Sequence, residues 1–267
     1  MSQKDSTWRE YNIHGSAEDE DQPVDIFAMT TSDEDAYETF QYDIDNTIQI
    51  NIRAEAEYDK STGMSVWKGS EVMCTYLRQH PEIVHKKKVL ELGAGCGLCG
   101  LVCKIVLNPK SVLVSDGDHK VLKNLRFNIK LNGLQLEDDD AVPSVASVDN
   151  DESIIAVPQL IWGKNHAVNF TKQYEKQDVI IATDCVYMTQ SVVPLFETIN
   201  EVLDNTSDSV FLFVNTCASA CPMQTVYKLA NDAGFISLEE EYWYHEDDRE
   251  QRKHPVHVFR RLSPRRS

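Results

Sequence analysis

With 267 residues, 42% of them hydrophobic and 26% charged, the chain can bury on the order of three quarters of its unfolded surface and needs no disulfides or structural metal to hold a core. That composition excludes wholly disordered and collagen-like chains, and no run of roughly 18 apolar residues predicts a spanning helix. The net charge of −17 is concentrated in residues 1–50 (13 Asp/Glu against Lys4 and Arg9) and in the stretch from Gln135 to Gln159 (7 acids, no Lys or Arg), which leaves the remainder close to neutral and ill suited to a polyanion.

Residues 1–35 read as an acidic, disordered leader and 36–267 as a single domain with an acidic loop insertion at about 135–153. The segment YETFQYDIDNTIQINI predicts a β-hairpin turning at Asp45-Asn46. From Trp67 onward, strand and helix patterns alternate, the signature of βαβ units and a mainly parallel sheet. Lys88 to Glu91 reads as a buried strand running into the glycines of LGAGCGLCG, with an apolar helix from Leu98 to Leu107 behind them. A strand ending at Asp116 follows, then a helix from His119 to Leu131 with Leu122, Leu125 and Ile129 on one face, stopped by Asn132-Gly133. Beyond the insertion, IIAVPQLIW predicts a strand at an edge or bulge because of Pro158. The continuous apolar run from Asp178 to Asp184 predicts a central strand buried on both faces. A helix from Val192 to Leu203, a strand from Ser209 to Val214 and a helix from Gln224 to Ala233 come next, and FISLEEEYWY with HPVHVFRR predicts two antiparallel strands.

Gly93, Gly95, Gly97 and Gly100 lie between an apolar strand and an apolar helix, where the backbone can approach a polar ligand at a helix N-terminus. Asp116 stands 19 residues beyond Gly97 at the end of the next strand, the distance at which a carboxylate holds a ribose diol. Asp118 competes for the same role, and the ribose belongs to NAD or to S-adenosylmethionine. Glu91, two positions before the first glycine, either offsets a cationic amino acid group or organises the loop, which favours the second cofactor. Asp184 and Tyr187 fall just past the carboxyl end of the central strand, where open α/β sheets bind their ligands. Cys185 between them has no His partnered by Asn or Asp to support a nucleophile. Of the seven cysteines, Cys96, Cys99 and Cys103 crowd one stretch and read as small buried hydrophobes; Cys217 and Cys221 give only a loose spacing, so no metal site is expected.

Four blocks, TGMSVWKGSEVMCTYL, KVLELGAGCGLCGLV, VLVSDGDHKVLKNLRFNIKLNG and QLIWG followed by DVIIATDCVY, resemble the seven-β-strand methyltransferases, and within them the protein-lysine methyltransferases that modify calmodulin, elongation factors and chaperones. The likeness runs from about Asp45 to Leu203. It implies a Rossmann-like, seven-stranded, mostly parallel α/β sheet with an antiparallel C-terminal strand and an N-terminal hairpin. It implies that Trp67 flanks S-adenosyl-L-methionine, that Gly93, Ala94, Gly95 and Gly97 hold its amino acid end, that Asp116 takes the ribose, that Trp162 lies beside the adenine and that Thr183 lines the pocket. Asp184 and Tyr187 are then the catalytic pair, and the substrate a lysine of a protein. Cys185-Val186 stand where DNA amino-methyltransferases have Pro-Pro. The expectation is a monomeric enzyme of the cytoplasm or nucleus that binds neither nucleic acid nor membrane; a small-molecule N-methyltransferase and a non-catalytic adaptor are the alternatives.

Overall fold

Side chains along a strand point alternately to the two faces of a sheet, and here both faces are apolar. The computed structural model describes residues 11–12, 37–44, 47–55, 62–136, 154–216, 221–244 and 253–262. Its central strands are β4 (Lys88–Leu92), β5 (Ser111–Ser115), β6 (Ile154–Ala156), β7 (Val179–Thr183), β8 (Val210–Val214), β9 (Phe235–Tyr244) and β10 (Lys253–Arg261). They form one seven-stranded sheet in the order β6-β5-β4-β7-β8-β10-β9. The first five run parallel, while β10 is antiparallel to β8 and β9 to β10.

Val89, Val112, Val114, Ile181 and Leu212 turn to one face and join a cluster with α1 (Lys68–Gln79), α2 (Leu98–Val106) and α3 (His119–Leu131). Leu90, Leu92, Ile180, Phe211 and Phe213 turn to the other, against α4 (Lys164–Gln173), α5 (Val192–Val202) and α6 (Met223–Asp232). This two-sided cover explains why β7 and β8 read as unbroken apolar runs rather than alternating ones. The predicted strand through Trp162 is shorter than expected. β6 ends at Ala156, before the Pro158 that lacks a donor, and the chain touches the sheet again only through a bridge between Gln159 and Asp116. α1 and α4 were not among the predicted elements.

A second sheet is built from β1 (Tyr11–Asn12), β2 (Tyr37–Asp43) and β3 (Gln49–Glu55), all antiparallel. The hairpin of β2 and β3 matches the expectation, and β1 is an addition to it; the turn at Asp45-Asn46, the rest of the leader and most of the acidic insertion lie outside the described residues. The free edge of β3 is paired not by a strand but by asparagines spaced four apart along α3. Asn132 exchanges hydrogen bonds with the backbone of Asn51 (2.8 and 2.7 Å), Asn128 does the same with Arg53 (2.8 and 3.1 Å), and Asn124 donates to the Arg53 carbonyl (3.0 Å). One turn earlier Lys120 pairs with Glu55 at 2.9 Å. Carboxamides carry a donor and an acceptor like the peptide group, so this stripe satisfies an edge that would otherwise be left open. The second hydrogen of Asn128 reaches the Cys96 carbonyl at 3.0 Å, tying the small sheet to the glycine-rich loop.

Candidate active site

The order of strands reverses about β4: β5 and β6 lie to one side, β7 and β8 to the other. Open α/β sheets bind ligands in the crevice at such a point, beyond the carboxyl ends of the strands. A cavity of about 510 Å³ occupies that crevice, lined by the segments after β4 (Gly93 to Leu98), β5 (Asp116 to Asp118), β6 (Leu160 to Trp162) and β7 (Thr183 to Cys185, Tyr187, Met188), and roofed by Gly63 to Trp67. Of the residues expected at the site, Trp67, Gly93, Ala94, Gly95, Gly97, Asp116, Trp162, Thr183, Asp184 and Tyr187 all line it.

The loop after β4 adopts conformations that require glycine, with Gly97 at φ 84° as the N-cap of α2. Its closeness to the roof is equally strict, since a Cβ on Gly95 would stand 3.2 Å from the Gly63 carbonyl. Asp116 accepts hydrogen bonds from the amides of Asp118 (3.1 Å) and Gly95 (3.3 Å). Burial outweighs those bonds and raises its pKa above the ordinary carboxylate value. Asp118 also lines the cavity, but its carboxylate caps α3 by accepting from the Lys120 amide at 2.7 Å. The two rivals for a ribose differ in burial: Asp116 is half-buried at the strand end, while Asp118 is exposed at the start of its helix.

Glu91 is the expected site residue that does not line the cavity. Its side chain is buried behind the loop, where one oxygen accepts from the Gly100 amide in the first turn of α2 at 2.8 Å. Of the two roles open to it, offsetting a cationic group or organising the loop, this geometry supports the second. Burial pushes its pKa up to about 8 despite the bonds from Gly100 and Cys99. A Cβ on Gly100 would lie 2.0 Å from a methyl of Val114, so α2 packs on the sheet as closely as the backbone allows.

Asp184 is buried and has φ 45°, an uncommon conformation that aspartate tolerates better than most residues. Its amide donates to the Val214 carbonyl at 2.9 Å. One carboxylate oxygen accepts from the Gly69 amide (2.7 Å) and the Thr216 hydroxyl (2.8 Å), the other from the Thr216 amide. Trp67 provides no side-chain cap for α1, so Asp184 supplies one from another strand end. Gly69 and Thr216 escaped sequence reasoning; Gly69 is visible only as a glycine in the first turn of a helix, and nothing local marks Thr216. Tyr187 and Met188 are exposed at the mouth. Cys185 is buried and its thiol pKa is raised by that burial and then by Asp184, which makes it a poor nucleophile. No cluster of metal-ligating side chains occurs among the described residues, and no helix among them is long and apolar enough to cross a membrane.

Comparison with known proteins gives a consistent grouping. The profile of a family described as lysine methyltransferase matches residues 46–220. The human protein-lysine N-methyltransferase EEF2KMT is 33% identical over 136 residues, 51% of this chain and 38% of that protein. The calmodulin-lysine N-methyltransferase of Arabidopsis thaliana is 27% identical over 173 residues, 64% of this chain and 51% of that protein. The chain thus spans about half or less of the length of these relatives. A solved structure described as a candidate methyltransferase complexed with SAH superposes with a TM-score of 0.53 at 11% identity, covering 83% of this chain and 55% of that one.

Proposed function

The chain belongs to the lysine methyltransferase family, and from that premise we propose that it is an S-adenosylmethionine-dependent N-methyltransferase acting on a lysine side chain of a protein. The observation that carries the reading is the charge of the cavity wall. Its charged lining residues are Asp116, Asp118 and Asp184, with no Lys, Arg or His among the lining residues described, and Asp184 is left for a substrate once Asp116 takes the ribose. Such a wall attracts an ammonium group, whereas a nucleic-acid backbone is held by Lys and Arg.

The residues present fit the cofactor. Gly93, Ala94, Gly95 and Gly97 leave a loop open to an amino acid moiety, Asp116 faces the cavity where a ribose needs an acceptor, and Trp67 and Trp162 offer aromatic surface. Bound there, S-adenosylmethionine supplies a methyl group on a cationic sulfur, open to in-line attack by a neutral amine. A free lysine amine has a pKa of about 10.4, so one proton must leave before its lone pair is usable. Asp184 draws the ammonium to the strand end, and its three hydrogen bonds fix the direction of that pull. Tyr187 lines the mouth and contributes an aromatic wall and a hydroxyl. Orientation of this kind supplies much of the acceleration of a bimolecular transfer.

Titration with S-adenosylmethionine, followed by incubation of enzyme and labelled cofactor with a cell extract, tests the reading. The expected result is binding together with labelled protein bands that mass spectrometry maps to lysine. Label appearing only in small molecules would overturn it.

A further inference from the structure

Seven large hydrophobic side chains are conspicuously exposed among the described residues, and three of them, Tyr187, Met188 and Val193, fall within seven positions of one another. Tyr187 and Met188 line the mouth of the cavity, and Val193 sits in the first turn of α5 between Ser191 and Pro194, which also line it. Met188 and Val193 are 51% and 47% exposed, so neither is explained by the core of the protein. Exposed apolar side chains grouped beside a binding site are the kind of surface that a partner covers.

We propose that Tyr187, Met188 and Val193 form the platform on which the substrate segment around the target lysine docks, and that this segment carries a large apolar side chain close to the lysine. The inference rests on the lysine methyltransferase reading and deepens it. Tyr187 and Met188 line the mouth through which the lysine enters, Val193 is flanked by the lining residues Ser191 and Pro194, and none of the three is charged, so they take the lysine's apolar neighbours while Asp184 takes the ammonium. An extended chain advances about 3.3–3.6 Å per residue, so three positions span about 10 Å, and the apolar side chain is expected within that reach of the lysine. A second copy of this chain is the other occupant, and the experiment separates the two.

The experiment compares the wild type with the double variant Met188→Ser/Val193→Ser and with Met188→Leu/Val193→Ile. Both positions are exposed, so the fold tolerates them. Each protein is titrated with S-adenosylmethionine and then assayed with labelled cofactor on the proteins of a cell extract. The serine variant should keep cofactor affinity within about twofold while the KM for the labelled protein rises at least about tenfold; the conservative variant should come back to within about threefold of wild type. The mapped lysines should have Leu, Ile, Val, Met, Phe, Tyr or Trp within about three positions. Equal KM for the serine variant, or mapped lysines flanked only by polar residues, would overturn the platform while leaving the enzyme a lysine methyltransferase. A wild type that self-associates, with the serine variant monomeric, would assign the surface to a second copy and overturn it too. Cofactor binding with no labelled protein would instead remove the functional reading beneath it.

Discussion

The carboxylate of Asp184 accepts a hydrogen bond from the amide of Gly69 at 2.7 Å across 115 residues of sequence. The strand end assigned to chemistry therefore also caps the helix that follows the cavity roof. Anything that disturbs Asp184 acts on both, and the variants must separate the two.

All three partners of the Asp184 carboxylate are donors. Asparagine would turn an NH2 group toward one of them, so Asp184→Asn breaks the cap as well as the charge. We expect it to lose about 1–3 kcal/mol of stability and at least about a hundredfold in turnover, roughly 2.7 kcal/mol. Thr216→Val removes one donor and leaves the carboxylate in place. It should cost about 1 kcal/mol in urea melts and lower kcat with little change in cofactor affinity. An Asn variant with wild-type turnover would end the catalytic assignment.

Gly69→Ala sets two known effects against each other. Alanine favours a helix over glycine by roughly 1 kcal/mol. The added Cβ, however, would lie 2.5 Å from an Asp184 oxygen that is pinned by hydrogen bonds. The steric effect should win: a lower melting temperature and lower turnover, measured by calorimetry and by label transfer. A stabilised variant would show that Asp184 gives way easily.

Asp116 and Asp118 line the same cavity with different hydrogen-bond partners. Asp116→Ala should weaken S-adenosylmethionine binding by about 1.5–3 kcal/mol, the range for a hydrogen bond to a charged group. Asp118→Ala should instead remove the α3 cap, at a cost of about 0.5–2 kcal/mol in stability, and weaken binding less. Calorimetric titration and thermal melts on both variants separate the roles, and the reverse pattern would exchange the assignments.

What the sequence made legible follows from how local each signal is. β4, the glycine loop and α2 form one contiguous apolar and glycine pattern, and α3 begins and ends where its periodicity and Asn132-Gly133 predict, with its Asp118 cap seen only in the structure. α4 was missed because only Ala167 and Phe170 are buried in it, too few to mark a face. The apolar positions of α3 were read correctly, but Asn124 and Asn128, equally buried, looked like ordinary polar residues because their partners lie on a strand more than 70 residues away. The same holds for Glu91, whose two roles differ only in which way the side chain turns from its strand.

The asparagine stripe should contribute to stability and, at one position, to binding. Asn128→Leu leaves the Arg53 amide and the Cys96 carbonyl without this partner, at about 2–4 kcal/mol for the pair. Because Cys96 belongs to the glycine-rich loop, cofactor affinity should fall several-fold as well. Asn132→Leu loses the contacts to Asn51 but touches nothing in that loop, so it should destabilise with affinity retained. Equal affinities in the two variants would show that the loop holds its shape without Asn128.

Glu91 makes a prediction about pH. Its folded pKa of about 8 stands above the ordinary value of 4.5 because burial disfavours the charged form. Below pH 4.5 the folded and unfolded chains are both protonated there, and the group contributes no penalty. As pH rises from that point the unfolded chain ionises while the folded one holds its proton, so stability falls, until near pH 8 the folded carboxyl ionises too and the loss levels off. Glu91→Gln keeps an oxygen to accept from the Gly100 amide and has nothing to titrate. Urea melts from pH 5 to 9 should therefore show the wild type losing on the order of a few kcal/mol relative to the Gln variant up to about pH 8, with no further divergence above it. The alternative is that Glu91 stays ionised at neutral pH, held by Gly100 and Cys99. In that case the two proteins would keep a constant difference across the whole range, and the view of Glu91 as a neutral, loop-organising acid would have to be abandoned.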